Sequence, residues 1–289
     1  MGKYRIIIYL IILVLLTSCQ QNQNIPLHRL QWYIDPLYDS TCGEKTIKIA
    51  VVDTGVNEKH LDLDISKAIV MPTIDLDYNK NYGHATAVAG VIAAYPHDKK
   101  GVLGINSKAK IISVDVMDDS EQSDVKCLIN AIQICMKEDV DIINISLGIN
   151  FDDDQLHSII KEAYKKGIVI VAAIGNEYDE DVLYPAAYDE VISVGSADKD
   201  QNIMYKSIDV SDVYAPGVNI VTTFYDPKEG LGYSSLNGSS ISAPIVSGVI
   251  SKVMEKRPDI TNVQIYEGIK KIKYVYSIES VYKEFGISI

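Results

Sequence analysis

The sequence has little of what would place it among disulfide scaffolds, repeat proteins or nucleic-acid-binding proteins. It has four cysteines in 289 residues, too few for a disulfide scaffold. It contains no internal repeat and no low-complexity segment, which excludes a solenoid or a fibrous protein. Its 27 basic residues are outnumbered by 39 acidic ones and form no cluster, so the chain lacks a footprint for phosphate groups. We therefore expect no nucleic-acid partner.

The chain also lacks an apolar run long enough to cross a bilayer. Its single strongly apolar run, at 6–16, has 11 residues, whereas a membrane span requires roughly 20. Lys3 and Arg5 precede this run, an arrangement typical of a secretory signal peptide. The run ends in LTSC at 16–19, which resembles a bacterial lipobox, where a signal peptidase cuts before a cysteine that carries diacylglycerol. The sequence therefore predicts export.

Lipid attachment at Cys19 is the prediction for the mature protein, after removal of a signal peptide at 1–18. The alternative is an ordinary signal peptide in which Cys19 has no role, and the protein is then secreted. Cleavage before Cys19 would leave 271 residues with 25 basic against 39 acidic side chains, a formal charge of −14. Such an acidic protein, held on the outer face of the bacterial cytoplasmic membrane, would attract cationic substrates more readily than anionic ones.

The chain does have enough apolar sequence for a full-sized core. Hydrophobic residues make up 47% of it and charged residues 23%, which excludes a disordered chain. From residue 47 onward, short runs rich in β-branched residues alternate with helix-like runs. The runs that predict strands are 47–52, 111–116, 141–146, 168–173 and 191–194. Continuous apolar strands joined by helical crossovers indicate a parallel sheet that is covered on both faces.

We therefore predict an α/β fold, with a doubly wound, mainly parallel sheet flanked by helices in a single domain over residues 46–289. A surface helix at about 261–272 is expected to close the domain. Residues 19–45 begin with a polar run and show little periodicity, which indicates a tether and docking segment. The residues of this segment that we expect to pack on the domain are Trp32, Tyr33 and Ile34.

Two segments place an ionisable side chain beside a glycine or a run of small residues. The sequence VVDTG at 51–55 puts Asp53 at the carboxyl end of a predicted strand, the edge at which open α/β sheets place their sites. The sequence NYGHATAVAG at 81–90 has His84 at the start of small residues that let a helix pack closely. Taken singly, Asp53 is better explained as a structural residue that caps the strand, and His84 as a helix cap or a packing residue.

A third segment, NGSSISAPIVSG at 237–248, predicts a glycine turn followed by a helix. The first turn of that helix would tolerate Pro244, and Ser240 would lie near the positive end of the helix with its hydroxyl exposed. Taken alone, this segment is explained by an ordinary N-cap serine.

Together the three segments resemble the motifs of the subtilisin-like serine proteases, whose triad runs Asp, His, Ser along the chain. The resemblance covers nearly everything from residue 47 to the C-terminus. It implies a subtilisin-like fold and a single catalytic domain in which Asp53, His84 and Ser240 form a triad. Three residues depart from the usual motifs without removing a proton-transfer group; they are Ala85, Ser239 and Ile241.

The resemblance extends to two further segments. The sequence VAAIGN at 171–176 is similar to the family's oxyanion segment, which implies that the Asn176 amide lies beside the Ser240 backbone N–H. The sequence NISLG at 144–148 is similar to the strand that pairs with an extended substrate. The resemblance therefore implies substrate contacts by Ser146, Leu147 and Gly148.

An acidic stretch follows the oxyanion asparagine. In the resembling enzymes this stretch borders the primary specificity pocket, and here its carboxylates are Glu177, Asp179, Glu180 and Asp181. A carboxylate that faces the pocket, with Glu177 and Asp181 as the candidates, would favour Arg or Lys at the P1 position of the substrate. The alternative is a solvated acidic loop that does not touch the substrate.

No cofactor is required by this chemistry, and no metal site is predicted. The resemblance puts Asp62 where many relatives hold calcium, but the facing loop contains Lys99 and Lys100, whose ammonium groups cannot ligate a cation. Calcium at Asp62 is therefore left as an open alternative.

The cysteine spacing argues against a disulfide. Cys127 and Cys135 lie eight residues apart on a predicted helix, a rise of about 12 Å against the roughly 7 Å that a disulfide allows. We expect both to be buried free thiols, and we assign Cys42 to neither.

The implied activity is that of a serine endopeptidase that cleaves peptides or proteins through an acyl-enzyme. Small exported or lipid-anchored members of the family include leader peptidases that mature lantibiotic precursors, and the architecture here is similar to theirs. The alternatives are a general cell-surface or quality-control protease and a catalytically dead lipoprotein that holds a peptide. Because only about 27 residues separate Cys19 from the first predicted strand, either the domain folds without a long propeptide or a partner supplies one.

Overall fold

The computed structural model describes residues 27–41, 43, 45–71, 81–97, 100–117, 123–176, 181–204 and 210–288. The predicted signal peptide, Cys19 and Cys42 lie outside these residues. A short 3₁₀ helix at Leu27–Leu30 precedes the strands and α-helices, which alternate between the second strand and the fifth. The strands are β1 Lys48–Asp53, β2 Ile65–Val70, β3 Lys110–Asp115, β4 Ile142–Ile145, β5 Val169–Ala173, β6 Ile192–Ala197, β7 Val213–Pro216, β8 Ile220–Asp226 and β9 Gly230–Leu236. The helices are α1 Ile34–Leu37, α2 Gly83–Ala93, α3 Val125–Lys137, α4 Asp154–Lys165, α5 Ser239–Lys256, α6 Asn262–Lys271 and α7 Ile278–Glu284.

Seven of the strands form one parallel sheet in the order β2-β3-β1-β4-β5-β6-β7. β2 and β3 lie on one side of β1, with β2 at the edge, and β4 to β7 follow one another outward on the other side, so the winding direction reverses beside β1. In sheets of this kind the functional crevice lies outside the carboxyl ends of the strands at that reversal. The predicted doubly wound α/β fold is confirmed, and its sheet directs attention to the end of β1, where Asp53 lies.

Both faces of the sheet are covered, as the continuous apolar strands predict. Successive residues of β1 point to opposite faces: Ile49 and Val51 join a core cluster with α2 and α5, whereas Ala50 and Val52 join a second cluster with α3 and α4. Every residue of α2 is buried, and a side chain added at Gly90 would overlap the Thr223 hydroxyl of β8. The small residues of α2 therefore let β8 and its partner β9 pack directly on this helix.

The predicted docking segment packs on the domain. Tyr33 and Ile34 are fully buried, and the Trp32 indole N–H donates to the Val218 carbonyl at 3.1 Å. Gln31 is buried as well, and its side-chain amide forms two hydrogen bonds of 2.8 Å with the Leu103 backbone. Gln31 Nε2 donates to the Leu103 carbonyl, and Gln31 Oε1 accepts from the Leu103 N–H. Residues 27–34 are thus part of the folded domain surface rather than a loose extension.

The predicted closing helix corresponds to α6, which begins after Thr261 with a capping box completed by Gln264. Cys127 and Cys135 of α3 are buried and are not joined by a disulfide, as predicted from their spacing. Burial raises the pKa of the Cys135 thiol to about 12, which makes it inert. Within the described part of the chain, no helix combines the length and the apolar character that a bilayer span requires.

Candidate active site

Asp53 is the last residue of β1 and is fully buried at the reversal of the sheet. Its Oδ1 accepts the Thr54 backbone N–H at 2.7 Å, which fixes the carboxylate plane. Both carboxylate oxygens lie 2.9 Å from Nδ1 of His84. The chain turns away at Gly55, whose φ of 85° and close approach to Asp115 both require glycine. The strand end thus presents a carboxylate to one ring nitrogen of the histidine.

His84 lies in the first turn of α2 and is buried. The next residue, Ala85, donates its backbone N–H to the Thr54 hydroxyl at 3.2 Å, which ties the start of the helix to the end of β1. Because Nδ1 faces a carboxylate, the chemistry places the proton on Nδ1 and leaves Nε2 as the acceptor. That Nε2 lies 3.1 Å from the Ser240 hydroxyl oxygen.

Ser240 lies in the first turn of α5, after the N-cap Gly238. Gly238 has φ of 130°, a conformation that only glycine adopts readily, and this turn directs Ser240 toward the histidine. Pro244 lies in the second turn of α5, not in the first as predicted. Because proline has no amide hydrogen, it donates no helix hydrogen bond to the Ser240 carbonyl four residues earlier.

Asn176 follows β5 and faces the same turn from the other side. The Ser239 backbone N–H donates to Asn176 Oδ1 at 3.1 Å, and the Ser239 hydroxyl donates to the Gly175 carbonyl at 2.7 Å. A Cβ added at Gly238 would lie 3.5 Å both from Asn176 Nδ2 and from the Ser240 Oγ, so the amide and the hydroxyl flank one point. The arrangement suits an oxyanion held by Nδ2 and the Ser240 backbone N–H.

The predicted substrate segment, Ser146, Leu147 and Gly148, follows directly after β4 and is buried. Beyond it, the backbones of Ile149 and Tyr184 exchange two hydrogen bonds of 2.8 Å. The segment is therefore backed by the loop that leads from Asp181 to Tyr184.

Asp181 is exposed at the start of this loop. Glu177, the other candidate for P1 selection, lies outside the described residues together with Asp179 and Glu180. An acidic lining of the specificity pocket therefore stays a prediction. Of its four proposed carboxylates, Asp181 is the one within the described residues.

A buried serine on α5 reaches the substrate segment through one asparagine. The Ser247 hydroxyl donates to Asn144 Oδ1 at 2.8 Å, and Asn144 Nδ2 donates to the Ser146 hydroxyl oxygen at 2.9 Å. All three side chains are buried. Ser247 follows Ser240 by two helical turns, so the helix that carries the hydroxyl of the triad also holds the substrate segment. This connection was not predicted from the sequence, where Ser247 is visible only as a polar residue within the small-residue run of 237–248.

The surroundings of Asp62 do not fit a calcium ion. Its Oδ2 accepts the Tyr233 hydroxyl at 2.8 Å and the Val102 backbone N–H at 3.1 Å, whereas calcium needs about six to eight oxygen ligands. Lys100 is exposed close by, and Lys99 lies outside the described residues. In the portion of the chain that the structure describes, no three His, Cys, Asp or Glu side chains are grouped to hold a metal.

A carboxylate, an imidazole and a hydroxyl joined in this order on a doubly wound parallel sheet are the arrangement of subtilisin-type serine proteases. Residues 44–277 match the family model for subtilases, and the chain belongs to the subtilase family. It is 32% identical over 249 residues to the minor extracellular protease Epr of Bacillus subtilis, covering 83% of this chain and 38% of Epr.

Two subtilisins are similar to the chain over most of its length. Subtilisin E of Bacillus subtilis is 32% identical over 255 residues, which cover 86% of this chain and 66% of the relative. The subtilisin of Bacillus pumilus is 31% identical over 255 residues, which cover 86% of this chain and 91% of the relative. The chain thus spans 38% of Epr and 66% of subtilisin E, while it spans most of the Bacillus pumilus protein.

Proposed function

We propose that the protein is a serine endopeptidase in which Asp53, His84 and Ser240 act as one unit. The observation that carries the proposal is the continuous contact from Asp53 through both His84 ring nitrogens to the Ser240 hydroxyl, at 2.9 and 3.1 Å. A serine hydroxyl is a weak nucleophile until a base accepts its proton. His84 Nε2 accepts that proton as Oγ attacks the substrate carbonyl carbon, while Asp53 holds the tautomer and stabilises the imidazolium.

The attack moves negative charge onto the carbonyl oxygen, and we assign its stabilisation to Asn176 Nδ2 and the Ser240 backbone N–H. The positive end of α5 adds to this stabilisation because Ser240 lies in the first turn of the helix. Loss of one such side-chain donor costs about 3 kcal/mol of transition-state stabilisation in enzymes of this kind.

Collapse of the intermediate breaks the peptide bond. The imidazolium of His84 gives its proton to the departing amine, which leaves Ser240 acylated. Water then attacks the acyl-enzyme, His84 accepts a water proton, and the acid product leaves as the proton returns to Ser240 Oγ. Residues Ser146, Leu147 and Gly148 hold the substrate backbone during both steps, which is why we expect extended peptides as substrates.

A fluorophosphonate probe tests this activity directly. It should label the wild-type chain, and Ser240→Ala should abolish labelling. Ser235→Ala, which changes an exposed serine of β9, is the matched control and should leave labelling intact. Absence of labelling in the folded wild-type protein would favour a dead peptide-binding lipoprotein instead.

We propose that the enzyme is exported and held at the outer face of the cytoplasmic membrane by lipid on Cys19. The support is the LTSC sequence after a short apolar run, together with the extracellular location stated in the name of the relative Epr. Mass spectrometry of membrane-extracted protein should show an acylated N-terminal cysteine, and Cys19→Ala should release the enzyme. An unmodified N-terminus elsewhere would leave secretion without an anchor.

For the substrate, we propose the leader region of a lantibiotic precursor. The support is the combination of one small catalytic domain with a short anchored tether, as in the leader peptidases that the sequence resembles. The purified enzyme should cut such a precursor at the junction of leader and core and leave unfolded casein largely intact. General digestion of casein would favour a cell-surface or quality-control protease.

We propose that turnover requires no cofactor, since the triad and the oxyanion donors all come from the chain. Further support comes from Asp62 Oδ2, which already accepts hydrogen bonds from Val102 and Tyr233. Addition of EDTA should leave both peptide turnover and the thermal midpoint unchanged. A lowered midpoint that calcium restores would show that a cation contributes to folding.

A further inference from the structure

Four exposed apolar side chains lie around the buried carboxylate of Asp62. Leu61 is 80% exposed, Tyr95 51%, Leu231 42% and Tyr233 39%. We call these four residues the anchor-side patch. A single exposed leucine needs no explanation in a soluble protein, but several grouped large apolar side chains mark a surface that meets a partner or a lipid.

Hydrogen bonds show that the four residues share one surface. Leu61 directly precedes Asp62, whose carbonyl accepts the Tyr95 backbone N–H at 2.9 Å. The Tyr233 hydroxyl donates to the Asp62 carboxylate at 2.8 Å. Leu231 comes two residues before Tyr233 in β9, and side chains with this spacing lie on the same face of a strand.

The chain enters the domain beside this patch. The Leu27 backbone N–H donates to the Lys100 carbonyl at 3.0 Å, and the His28 backbone N–H donates to the Gly101 carbonyl at 3.2 Å. Val102, the next residue along, donates to the Asp62 carboxylate. Cys19 precedes Leu27 by eight residues, which reach at most about 28 Å when fully extended. Lipid on Cys19 would therefore hold this end of the domain close to the bilayer.

We propose that the anchor-side patch is a membrane-contact surface that inserts into the headgroup region of the bilayer carrying the lipid of Cys19. This inference rests on the proposed acylation. Leucine and tyrosine suit that region because one has an apolar side chain and the other combines an apolar ring with a polar tip. Lys59 and Lys100 are exposed beside the patch, but so are Glu58 and Asp64, so the contact is apolar more than electrostatic.

The contact would fix the height of the active site above the membrane. The patch residues of β9 belong to the β8–β9 hairpin, and β8 is bonded to α2 through the Thr223 hydroxyl, which donates to the Thr86 carbonyl at 2.6 Å. Thr86 lies two residues after His84 on α2. A molecule seated on the patch would therefore hold its triad at a fixed height above the lipid surface, on the side of the membrane where exported substrates emerge.

Tryptophan quenching by brominated lipid tests the contact in the full-length acylated protein. The protein is anchored in vesicles of phosphatidylcholine and phosphatidylglycerol with brominated acyl chains. The fluorescence of the native Trp32, measured in the protein without an added tryptophan, is subtracted. Leu61→Trp is the test variant. Val263→Trp is the matched control, since Val263 is 44% exposed on α6, which is bonded to α4 through Asn262 and Tyr164 away from β2 and β9.

We expect strong quenching with Leu61→Trp and none with Val263→Trp. Leu61→Glu combined with Tyr95→Glu, in a chain that carries Leu231→Trp as the reporter, should lower the quenching of that tryptophan to the level without brominated lipid, while turnover of a soluble peptide stays unchanged. Equal quenching of the two tryptophan variants, with Cys19 shown to be acylated by mass, would overturn the proposal and leave the anchor intact. An unmodified Cys19 would refute both the lipid anchor and the membrane contact that rests on it. Dimerisation in solution that Leu61→Glu abolishes, without quenching, would assign the patch to a second copy of the chain and also overturn the proposal.

Discussion

A buried ion pair on α5 ties the docking segment to the domain, and its removal should destabilise the fold strongly. Lys252 and Glu255 are 3% and 2% exposed, with Nζ and Oε2 3.5 Å apart. Lys252 Nζ also donates to the Thr41 carbonyl at 2.8 Å, and Asn106 Nδ2 donates to Glu255 Oε1 at 2.8 Å. Each charged side chain is therefore buried and has one ionic partner and at least one hydrogen-bond partner.

Removal of a single charge leaves the other buried without its counter-charge. We expect Lys252→Met to lower the free energy of unfolding by roughly 3–5 kcal/mol, a large share of the 5–15 kcal/mol typical of a domain. Lys252→Met combined with Glu255→Gln should cost less than Lys252→Met alone, about 2 kcal/mol or less, because neither charge remains. The two substitutions are therefore expected to be strongly non-additive.

Urea unfolding measures these differences, with every variant built on Ser240→Ala to prevent self-digestion. Lys67→Met is the control, because Lys67 pairs with Glu138 at 2.6 Å on the surface, where such a pair is worth under about 1 kcal/mol. A double variant that loses the sum of the two single losses would refute the coupling. A Lys252→Met loss no larger than that of Lys67→Met would show that the pair is solvated.

Four further predictions concern catalysis and specificity. Single alanine substitutions at His84 and Ser240 should each abolish nearly all peptide turnover, and the double variant should lose little more; additive losses would contradict a triad. Asn176→Ala should lower kcat by roughly 10²–10³-fold with KM little changed, whereas a large KM effect alone would mean that it only positions substrate. Ser247→Ala should raise KM for extended peptides more than for single-residue esters, and Ser247→Thr should restore it; equal effects on both substrates would refute a role through Ser146. Peptides with Arg at P1 should lose kcat/KM in Asp181→Asn while Leu peptides do not, and an unchanged ratio would leave Asp181 on the surface.

The strands that sequence analysis predicted are those with continuous apolar runs. The predicted strand at 111–116 corresponds to Lys110–Asp115, and the one at 168–173 to Val169–Ala173. The edge strand β2 was not predicted, because Ser66, Lys67 and Ala68 are exposed and interrupt any apolar pattern. The hairpin of β8 and β9 was not predicted, because it lies outside the main sheet and the exposed positions of β9 include the apolar residues Leu231 and Tyr233, so its sequence lacks the usual pattern of apolar residues facing inward.

The parallel sheet explains why part of the site could be predicted. All of its strands end at one edge, so residues that follow β1, β4 and β5 are brought together whatever the loops between them do. Asp53 is the last residue of β1, and the segment 146–148 and Asn176 follow β4 and β5. His84 and Ser240 come from the first turns of helices, whose position depends on packing, so only the family motifs pointed to them.

The contacts that adjust the site depend on packing between residues far apart in sequence. Ser247 and Asn144 are 103 residues apart, and Tyr233 and Asp62 are 171 apart, yet each pair shares a hydrogen bond of 2.8 Å. No local pattern distinguishes Tyr233 from an ordinary surface tyrosine of an amphipathic strand. Its hydroxyl nevertheless reduces the capacity of Asp62 to bind a metal ion, because a carboxylate that accepts hydrogen bonds from a tyrosine and an amide has fewer lone pairs to offer a cation. A motif can therefore identify the groups that react, while the side chains that hold them are found only once the helices and strands are packed.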